Sequence, residues 1–340
     1  MDKRWQEWWW LVGLWALSRL ILSLVGWLSL VYLPNLAPHH HPGPWYEMWS
    51  RLDSLHYLRI ADQGYLPGLG GTCAWFPGYP LLVRSLSWCL PPTLAGLMIS
   101  NLALLGSMLV LWELFRERYE RAVCRRVVAL WLAFPSAFFL SAVYSESTFL
   151  LFSAGAFLAA RRQKWALAGL LGALAATTRP TGLLLVLALY FEPRQHRTQL
   201  LWLGLIPLPV LAFFWHLKQV VHDFFAYVHA QNWLAGLVGG WTNFQLQHLV
   251  GVLLALLAAW LVWSAQLERS EKVYAALSIL LPLWQLLGAS MVRYLVVVFP
   301  VFEAAGARLE GRPYLLFAGL LALLQLVMFA FFVASHPAVA

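Results

Sequence analysis

The sequence predicts an all-α polytopic membrane protein, and two observations lead to this fold class. Hydrophobic residues make up 61% of the 340 residues and charged residues only 11%, with a mean hydropathy of +0.68. The chain also holds many apolar runs near the length of about 20 residues that a helix needs to cross a bilayer. We therefore expect residues 1–340 to form a single transmembrane domain.

About 11 apolar stretches are predicted to cross the membrane. They cover 8–33, 93–115, 127–145, 147–160, 165–178, 181–192, 199–217, 248–266, 273–289, 294–307 and 314–334. The first lacks a small-residue cleavage site and is too long for the core of a signal peptide, so we expect an uncleaved first helix.

Two long polar segments, 34–92 and 218–247, separate these stretches. Lys and Arg concentrate in the loops that lie inside when the N-terminus is placed inside, which makes both polar segments external. Residues 76–90 are short, rich in proline and carry Arg84, so we interpret them as re-entrant or interfacial. If residues 76–90 crossed the membrane completely, the basic cluster 116–126 would lie on the outside. In a membrane protein the net charge of +8 does not require a nucleic-acid partner, and none is expected.

The hairpin of the fifth and sixth stretches has short arms. Fourteen residues separate Lys164 from Arg179, and an arm of that length reaches about 22 Å, against a hydrocarbon core of about 30 Å. Glu146 stands at the same spacing from Arg161. A carboxylate and a guanidinium at such depth must face protein or water, and short paired segments are typical of binding sites. We expect a recessed outward cavity; a locally thinned bilayer or a simple Glu146–Arg179 pair is the alternative.

The residues 51–65 form the most polar stretch of the first external loop. Asp53, His56 and Tyr57 fall at i, i+3 and i+4, which places them on one face of a short helix. Asp53 is the leading catalytic candidate, as general base on an incoming hydroxyl. Ser50 three residues earlier also fits a capping box with Asp53, and the two roles are compatible.

Further candidates for substrate binding lie on the same predicted side of the membrane as Asp53. Arginines among them suit a phosphate ligand, because the planar guanidinium fork binds two phosphate oxygens at once. These candidates are His56, Tyr57, Glu146, Arg179, Lys218, Gln231, Trp233, Arg293 and Tyr294.

Five sequence blocks resemble the GPI mannosyltransferase II (PIG-V) family and its prokaryotic relatives. They are residues 51–65, Phe76-Pro77-Gly78-Tyr79-Pro80-Leu81, the segment from Pro135 through Tyr144-Ser145-Glu146-Ser147, Thr178-Arg179-Pro180-Thr181-Gly182, and His229-Ala230-Gln231-Asn232-Trp233. After about residue 250 only Arg293-Tyr294 and Pro300 are suggestive. Leu52 departs from the family, which usually shows Trp there, and this makes the acceptor uncertain.

The resemblance implies a GT-C-type glycosyltransferase that takes a hexose, expected to be mannose, from a polyprenyl-phosphate carrier. It further implies inversion at the anomeric carbon, action on the extracytoplasmic face and Asp53 as catalytic base. One base suffices when the leaving group is already a phosphate, whereas a glycosidase also needs an acid. Cationic groups can stabilise the departing phosphate, and Arg179 and Arg293 are favoured over Lys218. The acceptor could be a glycolipid, another glycan or a protein hydroxyl, and membrane lipids are expected around the chain.

Structural roles are the alternative for several of these residues. His56 and Tyr57 could anchor their helix at the interface, Gln231 and Trp233 could seal the loop rather than bind sugar, and Arg19 could pair with Glu113 or Glu303 or reach the carrier phosphate. No cofactor or metal is expected, although His39-His40-His41 with His216 and His222 leave a divalent metal open.

A transporter or flippase of a lipid-linked sugar is the alternative function. A transporter is expected to show repeated halves and polar residues at both faces, whereas this sequence shows no repeat and gathers its polar candidates on one side. A catalytically dead scaffold is a third possibility, which the presence of Asp53 disfavours. Short loops favour the plasma membrane of a prokaryote.

Overall fold

The computed structural model describes residues 3–33, 44–67, 72–192, 197–238, 246–284 and 290–334, and every regular element in these ranges is a helix. The α-helices are α1 (Lys3–Tyr32), α2 (Ser54–Gln63), α3 (Gly78–Leu86), α4 (Pro92–Arg116), α5 (Arg121–Leu132), α6 (Glu146–Arg161), α7 (Trp165–Thr178), α8 (Leu184–Tyr190), α9 (Leu208–Val221), α10 (Ala226–Val238), α11 (Leu246–Trp263), α12 (Arg269–Trp284), α13 (Met291–Leu295), α14 (Phe299–Arg308) and α15 (Gly311–Val333). The 3-10 helices are Trp45–Trp49, Thr72–Ala74, Ala137–Leu140, Pro180–Leu183 and Arg197–Leu205.

Four stretches in the described residues are long and apolar enough to cross a bilayer. They are Trp5–Tyr32, Pro92–Arg116, Thr198–Val221 and Gly311–Val333. Shorter apolar helices cover Trp165–Thr178, Pro180–Tyr190 and Leu249–Trp263. The predicted all-helical membrane protein is thereby confirmed in outline, whereas eleven crossings, an inside N-terminus and the external position of 34–92 and 218–247 remain predictions.

The predicted and observed helix bounds agree best where charged residues or prolines end an apolar run. The prediction of 165–178 matches α7, and the prediction of 93–115 differs from α4 by one residue at each end. The predicted re-entrant or interfacial segment contains α3, which has nine residues and is about 14 Å long. A helix of that length does not span the hydrocarbon core of about 30 Å.

The predicted helix 127–145 is wrong after residue 132. Helix α5 ends at Leu132, and residues 133–145 form turns around the 3-10 helix Ala137–Leu140. Pro135 disfavours helix in the residue before it and removes a backbone donor. Nearly all of this segment is buried in protein, and Val143 N–H donates to the Trp49 carbonyl at 3.1 Å. Irregular backbone in a membrane protein is tolerated in such surroundings.

The predicted helix 294–307 is also interrupted. The chain forms the short α13, turns at residues 296–298 and then enters α14 with Pro300 in its first turn. Proline suits the first turn of a helix but clashes with a carbonyl four residues earlier, so one continuous helix through Pro300 is disfavoured. This break places Arg293 on a short helix instead of at the edge of a long one.

Other predicted bounds shift for similar reasons. The stretch 181–192 divides into the 3-10 helix Pro180–Leu183 and α8, and the stretch 199–217 into the 3-10 helix Arg197–Leu205 and α9. The predicted loop 218–247 contains the end of α9, all of α10 and the first two residues of α11. Part of the stretch 273–289 and all of His39-His40-His41 lie outside the described residues.

A close contact between α3 and α7 brings two of the sequence blocks together. A Cβ atom added to Gly78 would lie 2.4 Å from Thr177 Oγ1 and 2.7 Å from its carbonyl oxygen. Only glycine fits this approach without a shift of backbone. The block around Phe76–Leu81 is thereby fixed against the end of α7, directly before Arg179.

At the other end of the bundle, ion pairs join helices that are distant in sequence. Arg118 Nη1 contacts Glu271 Oε2 at 2.9 Å and Glu303 Oε1 at 2.5 Å, and Arg161 Nη2 also binds Glu271. The carboxylates of Glu271 and Glu303 are buried. This network ties the turn after α4 to α6, α12 and α14.

The predicted ion pair of Arg19 with Glu113 or Glu303 is wrong. Arg19 is buried, and its Nη1 donates to Ser141 Oγ at 2.5 Å instead of to Glu113 or Glu303. Those two carboxylates pair with arginines at the other end of the bundle. Arg19 therefore supports the irregular segment 133–145.

Candidate active site

Two carboxylates and two guanidinium groups form a continuous chain of ion pairs. Asp53 Oδ2 lies 2.5 Å from Arg293 Nη1, and Arg293 Nε lies 2.6 Å from Glu146 Oε1. The same oxygen of Glu146 lies 3.0 Å from Arg179 Nη1. Four residues that the sequence predicted as site residues are thus brought together, with charges that sum to zero.

The four side chains differ in their exposure. The side chain of Glu146 is fully buried, whereas those of Arg179 and Arg293 are 10% and 14% exposed. The side chain of Asp53 is 32% exposed, which makes its carboxylate the most accessible of the group.

Breaks between helices position the buried members of the cluster. Glu146 is the first residue of α6, directly after the irregular segment 133–145. Arg179 has an extended backbone, with φ −152° and ψ 145°, between α7 and the 3-10 helix Pro180–Leu183. Arg293 lies on the short α13. Discontinuous helices of this kind are typical of binding sites in membrane proteins.

The backbone before α2 fixes Asp53. Leu52 has φ 55°, a left-handed conformation that non-glycine residues rarely adopt. The Tyr144 hydroxyl donates to the Arg51 carbonyl at 3.0 Å and accepts from the Asp53 N–H at 3.2 Å. The Arg51 Nε donates to the Val333 carbonyl at the end of α15 at 3.2 Å. Strained conformations held by surrounding contacts cluster at functional sites.

The predicted capping box of Ser50 and Asp53 does not form. The Ser50 N–H donates to the Glu47 carbonyl at 3.0 Å, and the Asp53 N–H donates to the Tyr144 hydroxyl at 3.2 Å. The Asp53 carboxylate binds Arg293 instead. The aspartate is therefore directed toward the ion-pair cluster and away from the end of its own helix.

His56 and Tyr57 lie beside the cluster in α2. The Tyr57 hydroxyl is hydrogen bonded to Ser145 Oγ at 3.0 Å, next to Glu146, and burial raises the pKa of Tyr57 well above its ordinary value, so that it stays a neutral phenol. His56 stacks on Trp75 with ring centroids 3.8 Å apart and an angle of 10° between the rings. Burial lowers the pKa of His56, against the opposing charge of Asp53.

Aromatic rings surround both arginines. The Arg293 guanidinium lies 4.5 Å from the Tyr144 ring centroid and 5.1 Å from that of Phe139. The Arg179 guanidinium lies 5.4 Å from the Tyr294 ring and 6.0 Å from that of Phe149. Rings at these distances favour a cation and restrict its water contacts. Tyr294, another predicted site residue, thus lies next to Arg179.

The structure does not bring every predicted residue to the cluster. Lys218 is exposed on α9, with its ammonium 5.0 Å from the Trp215 ring. Gln231 donates to the Ala74 carbonyl at 3.0 Å and so ties α10 to the 3-10 helix Thr72–Ala74. Trp233 is 54% exposed. Substrate contacts by these three residues remain predictions.

Sequence reasoning missed Tyr144 and Ser145 as site residues. Both belong to a block that resembles the family, but nothing in the sequence shows that a tyrosine hydroxyl reaches the backbone of residues 51–53. In the described part of the chain no group of three or more His, Cys, Asp or Glu side chains is placed to hold a metal ion. His39-His40-His41 lie outside it, so the possibility of a metal remains a prediction.

Comparison with known proteins places this cluster in a family context. The family model described as Mannosyltransferase (PIG-V) matches residues 44–202. The GPI alpha-1,6-mannosyltransferase 2 of Rattus norvegicus is 38% identical over 152 residues, which are 40% of this chain and 30% of that protein. The protein of the same name from Mus musculus is 38% identical over 149 residues, 39% of this chain and 29% of its own.

The aligned part therefore covers less than a third of the length of these curated relatives. The family match includes Asp53, Glu146 and Arg179, whereas Arg293 lies beyond it. It also includes four of the five blocks found in the sequence. The resemblance is confirmed over this range: residues 44–202 of the chain match the mannosyltransferase (PIG-V) family.

Proposed function

We propose that this protein is an integral-membrane mannosyltransferase that moves mannose from a polyprenyl-phosphate carrier to an acceptor hydroxyl on the extracytoplasmic face. The observation that carries the proposal is the accessible carboxylate of Asp53, which is backed by the guanidinium groups of Arg293 and the buried Arg179, joined through Glu146. The family match and the names of the relatives support mannose as the sugar.

The two ends of the ion-pair cluster have different roles in the proposed reaction. Asp53 accepts the proton of the acceptor hydroxyl while its oxygen attacks the anomeric carbon of the donor. The bond between that carbon and the phosphate oxygen breaks, and the polyprenyl phosphate leaves with the electron pair. Because attack and departure occur on opposite sides of the carbon, the product has the inverted anomeric configuration. Guanidinium groups stabilise the negative charge that develops on the phosphate.

Burial strengthens this electrostatic contribution. Glu146 is fully buried and holds both guanidinium groups in place before any ligand arrives. Groups fixed in this way need little reorganisation during the reaction, and their charges are poorly screened by water. Tyr57, which is a neutral phenol hydrogen bonded to Ser145, packs beside the same ion-pair cluster. In this proposal a sugar or acceptor lies against the His56 ring, which stacks on the largely buried Trp75.

The experiment is a transfer assay with the purified full chain in detergent. Radiolabelled mannose is supplied either as polyprenyl-phosphate-mannose or as a mannose nucleotide, together with extracted membrane glycolipids as acceptor. We expect label to enter the acceptor from the lipid-linked donor and not from the nucleotide. Transfer from the nucleotide alone would contradict the proposed donor, and the anomeric configuration of the product tests inversion.

The transporter alternative has a distinct outcome. A flippase moves an intact lipid-linked sugar across sealed vesicles without breaking the bond between sugar and phosphate. We expect the donor to be consumed even in detergent, where no sealed compartment exists. An intact donor in detergent, combined with movement of label across proteoliposomes, would favour the transporter instead.

A further inference from the structure

The two arginines of the cluster have unequal hydrogen bonding. Arg293 donates from Nε to Glu146 and from Nη1 to Asp53, so two of its nitrogens are occupied by carboxylates. Arg179 is only 8% exposed, and no donor on its guanidinium has a hydrogen-bond partner among the described residues. Its Nη1 faces Glu146 at 3.0 Å, but without the alignment of a hydrogen bond.

A buried guanidinium without hydrogen bonds is costly, because each unpaired polar group loses its hydration. Nearly all such groups in folded proteins find a partner in protein, water or ligand. The pairing with Glu146 offsets the charge of Arg179, but it leaves the planar fork of donors available. Arg179 therefore has the capacity for two parallel hydrogen bonds that Arg293 lacks.

A small cleft lies directly beside Arg179. It is lined by Phe149, Arg179, Thr181, Ser278, Pro282, Tyr294 and Val297. The Thr181 hydroxyl is buried and also has no hydrogen-bond partner in the described ranges. Hydroxyl and guanidinium donors thus converge on one cleft. Ser278, whose buried hydroxyl also has no partner in the described ranges, lines the cleft too, and Phe149, Pro282 and Val297 form its apolar walls.

We infer that Arg179, Thr181 and Tyr294 form the subsite for the phosphate of the lipid-linked donor, and that Arg293 holds Asp53 in position. This inference rests on the proposed function and divides its cationic role between two residues. The guanidinium fork of Arg179 matches two oxygens of a phosphate, and the hydroxyls of Thr181 and Tyr294 supply further donors.

Asp53 and Arg179 lie at opposite ends of the chain of ion pairs, joined through the guanidinium of Arg293 and the carboxylate of Glu146. A hexose bound through its phosphate at Arg179 can therefore present its anomeric carbon on the side of Asp53. Attack from that side and departure toward Arg179 are the opposite directions that inversion requires.

The test measures binding of polyprenyl phosphate to the purified full chain in detergent micelles by the quenching of tryptophan fluorescence. The matched ligands are polyprenol of the same length, which lacks the phosphate, and phosphatidylglycerol, which carries a phosphate on an ordinary membrane lipid. We expect polyprenyl phosphate to bind at least about tenfold more tightly than either, since charge-assisted hydrogen bonds contribute only when both headgroup and chain fit.

Three variants test the residues. Arg179→Gln is expected to weaken polyprenyl-phosphate binding by about 100-fold, and Arg179→Lys, which keeps the charge beside Glu146 but loses the fork, by about tenfold. Thr181→Val removes one hydroxyl at nearly constant shape and is expected to weaken binding about tenfold. Arg84→Gln, at an exposed arginine of α3, is the control and should bind as the parent does.

Thr181→Val also separates binding from folding. Because the Thr181 hydroxyl has no partner in the structure, its removal should leave the melting temperature unchanged or raise it. If Arg179→Gln does not fold, Arg179→Lys and Thr181→Val still decide the question. Parental affinity in both of these variants, or equal binding of polyprenol or phosphatidylglycerol, would overturn the inference.

The transfer assay distinguishes this inference from the proposed function. If the parent transfers mannose but the variants bind polyprenyl phosphate normally, the subsite is wrong and the function stands. If binding depends on Arg179 and Thr181 but no sugar is transferred from any lipid-linked donor, the subsite stands and the proposed transferase is wrong.

Discussion

The hydroxyl of Tyr144 accepts a hydrogen bond from the backbone N–H of Asp53 at 3.2 Å. The same hydroxyl donates to the carbonyl of Arg51, so that it bridges the left-handed turn at Leu52. The ring of Tyr144 also lies against the guanidinium of Arg293. One buried tyrosine therefore supports both partners of the ion pair between Asp53 and Arg293.

Tyr144→Phe should lower the transfer rate more than it lowers stability. The substitution keeps the ring against Arg293 but leaves the Asp53 N–H and the Arg51 carbonyl without their partner, at a cost of about 1–3 kcal/mol. Tyr79→Phe is the matched control, because the Tyr79 hydroxyl is also buried and hydrogen bonded, to the Gly96 carbonyl at 3.0 Å. Thermal unfolding and kcat are measured for both. Equal losses of kcat in the two variants would contradict a specific role for Tyr144.

Glu146→Gln should destabilise the fold strongly, because it leaves the buried Arg179 and the largely buried Arg293 without their shared carboxylate. Removal of one partner from a buried ion pair typically costs about 3–5 kcal/mol. The double variant Glu146→Gln with Arg179→Gln should lose less than the sum of the single losses, since it removes one charge of each sign. Thermal unfolding in detergent measures all three proteins. Additive losses would show that Glu146 and Arg179 are not coupled.

Glu271→Gln should destabilise the protein by about 3 kcal/mol without a specific effect on chemistry. Glu271 is fully buried and binds Arg118 and Arg161, in an ion-pair network separate from that of Asp53. Glu310→Gln, at an exposed residue, is the control and should change stability little. The melting temperature and the kcat of the folded fraction are compared. A loss of kcat at full stability would contradict a purely structural network.

His56 should make the protein less stable as the pH falls. Burial lowers the pKa of His56 in the folded state, so the unfolded chain takes up a proton first, near its ordinary pKa of about 6.5. The stabilising contribution of the neutral ring is present above that pH and is lost as the pH falls through the lower folded-state pKa. His56→Phe keeps a ring on Trp75 and should lose less melting temperature between pH 7.5 and pH 5.5 than the parent. His216→Phe, at an exposed histidine, is the control and should follow the parent.

The sequence predicted elements well where charge or proline marks their ends. Lys164 and Arg179 bound an apolar run that matches α7. Glu146 and Arg179, expected in the wall of a recessed cavity, form the ion pair that was the alternative to it. The prediction of 127–145 failed because a buried irregular segment is as apolar as a helix. Hydropathy does not distinguish the two, and only Pro135 signalled the break.

The contacts of the site were harder to predict than its members. Asp53 and Arg293 are 240 residues apart, and no local pattern indicates that they form an ion pair. Lys218 was predicted on the same side of the membrane as Arg179, but its side chain is exposed and its ammonium lies over the Trp215 ring. The side of the membrane on which a residue lies does not fix the direction of its side chain. The role of Tyr144 depends on a hydroxyl that reaches backbone atoms far away in sequence.

The central claim is that Asp53 is the general base, and the most direct test is the rate of mannose transfer by Asp53→Asn. Asparagine keeps the shape of the side chain but does not accept the proton of the acceptor, so we expect a loss of at least about 100-fold in kcat. Asp62→Asn, at an exposed aspartate of the same helix, is the control and should retain the parental rate. A folded Asp53→Asn protein that transfers mannose as fast as the parent would contradict the account.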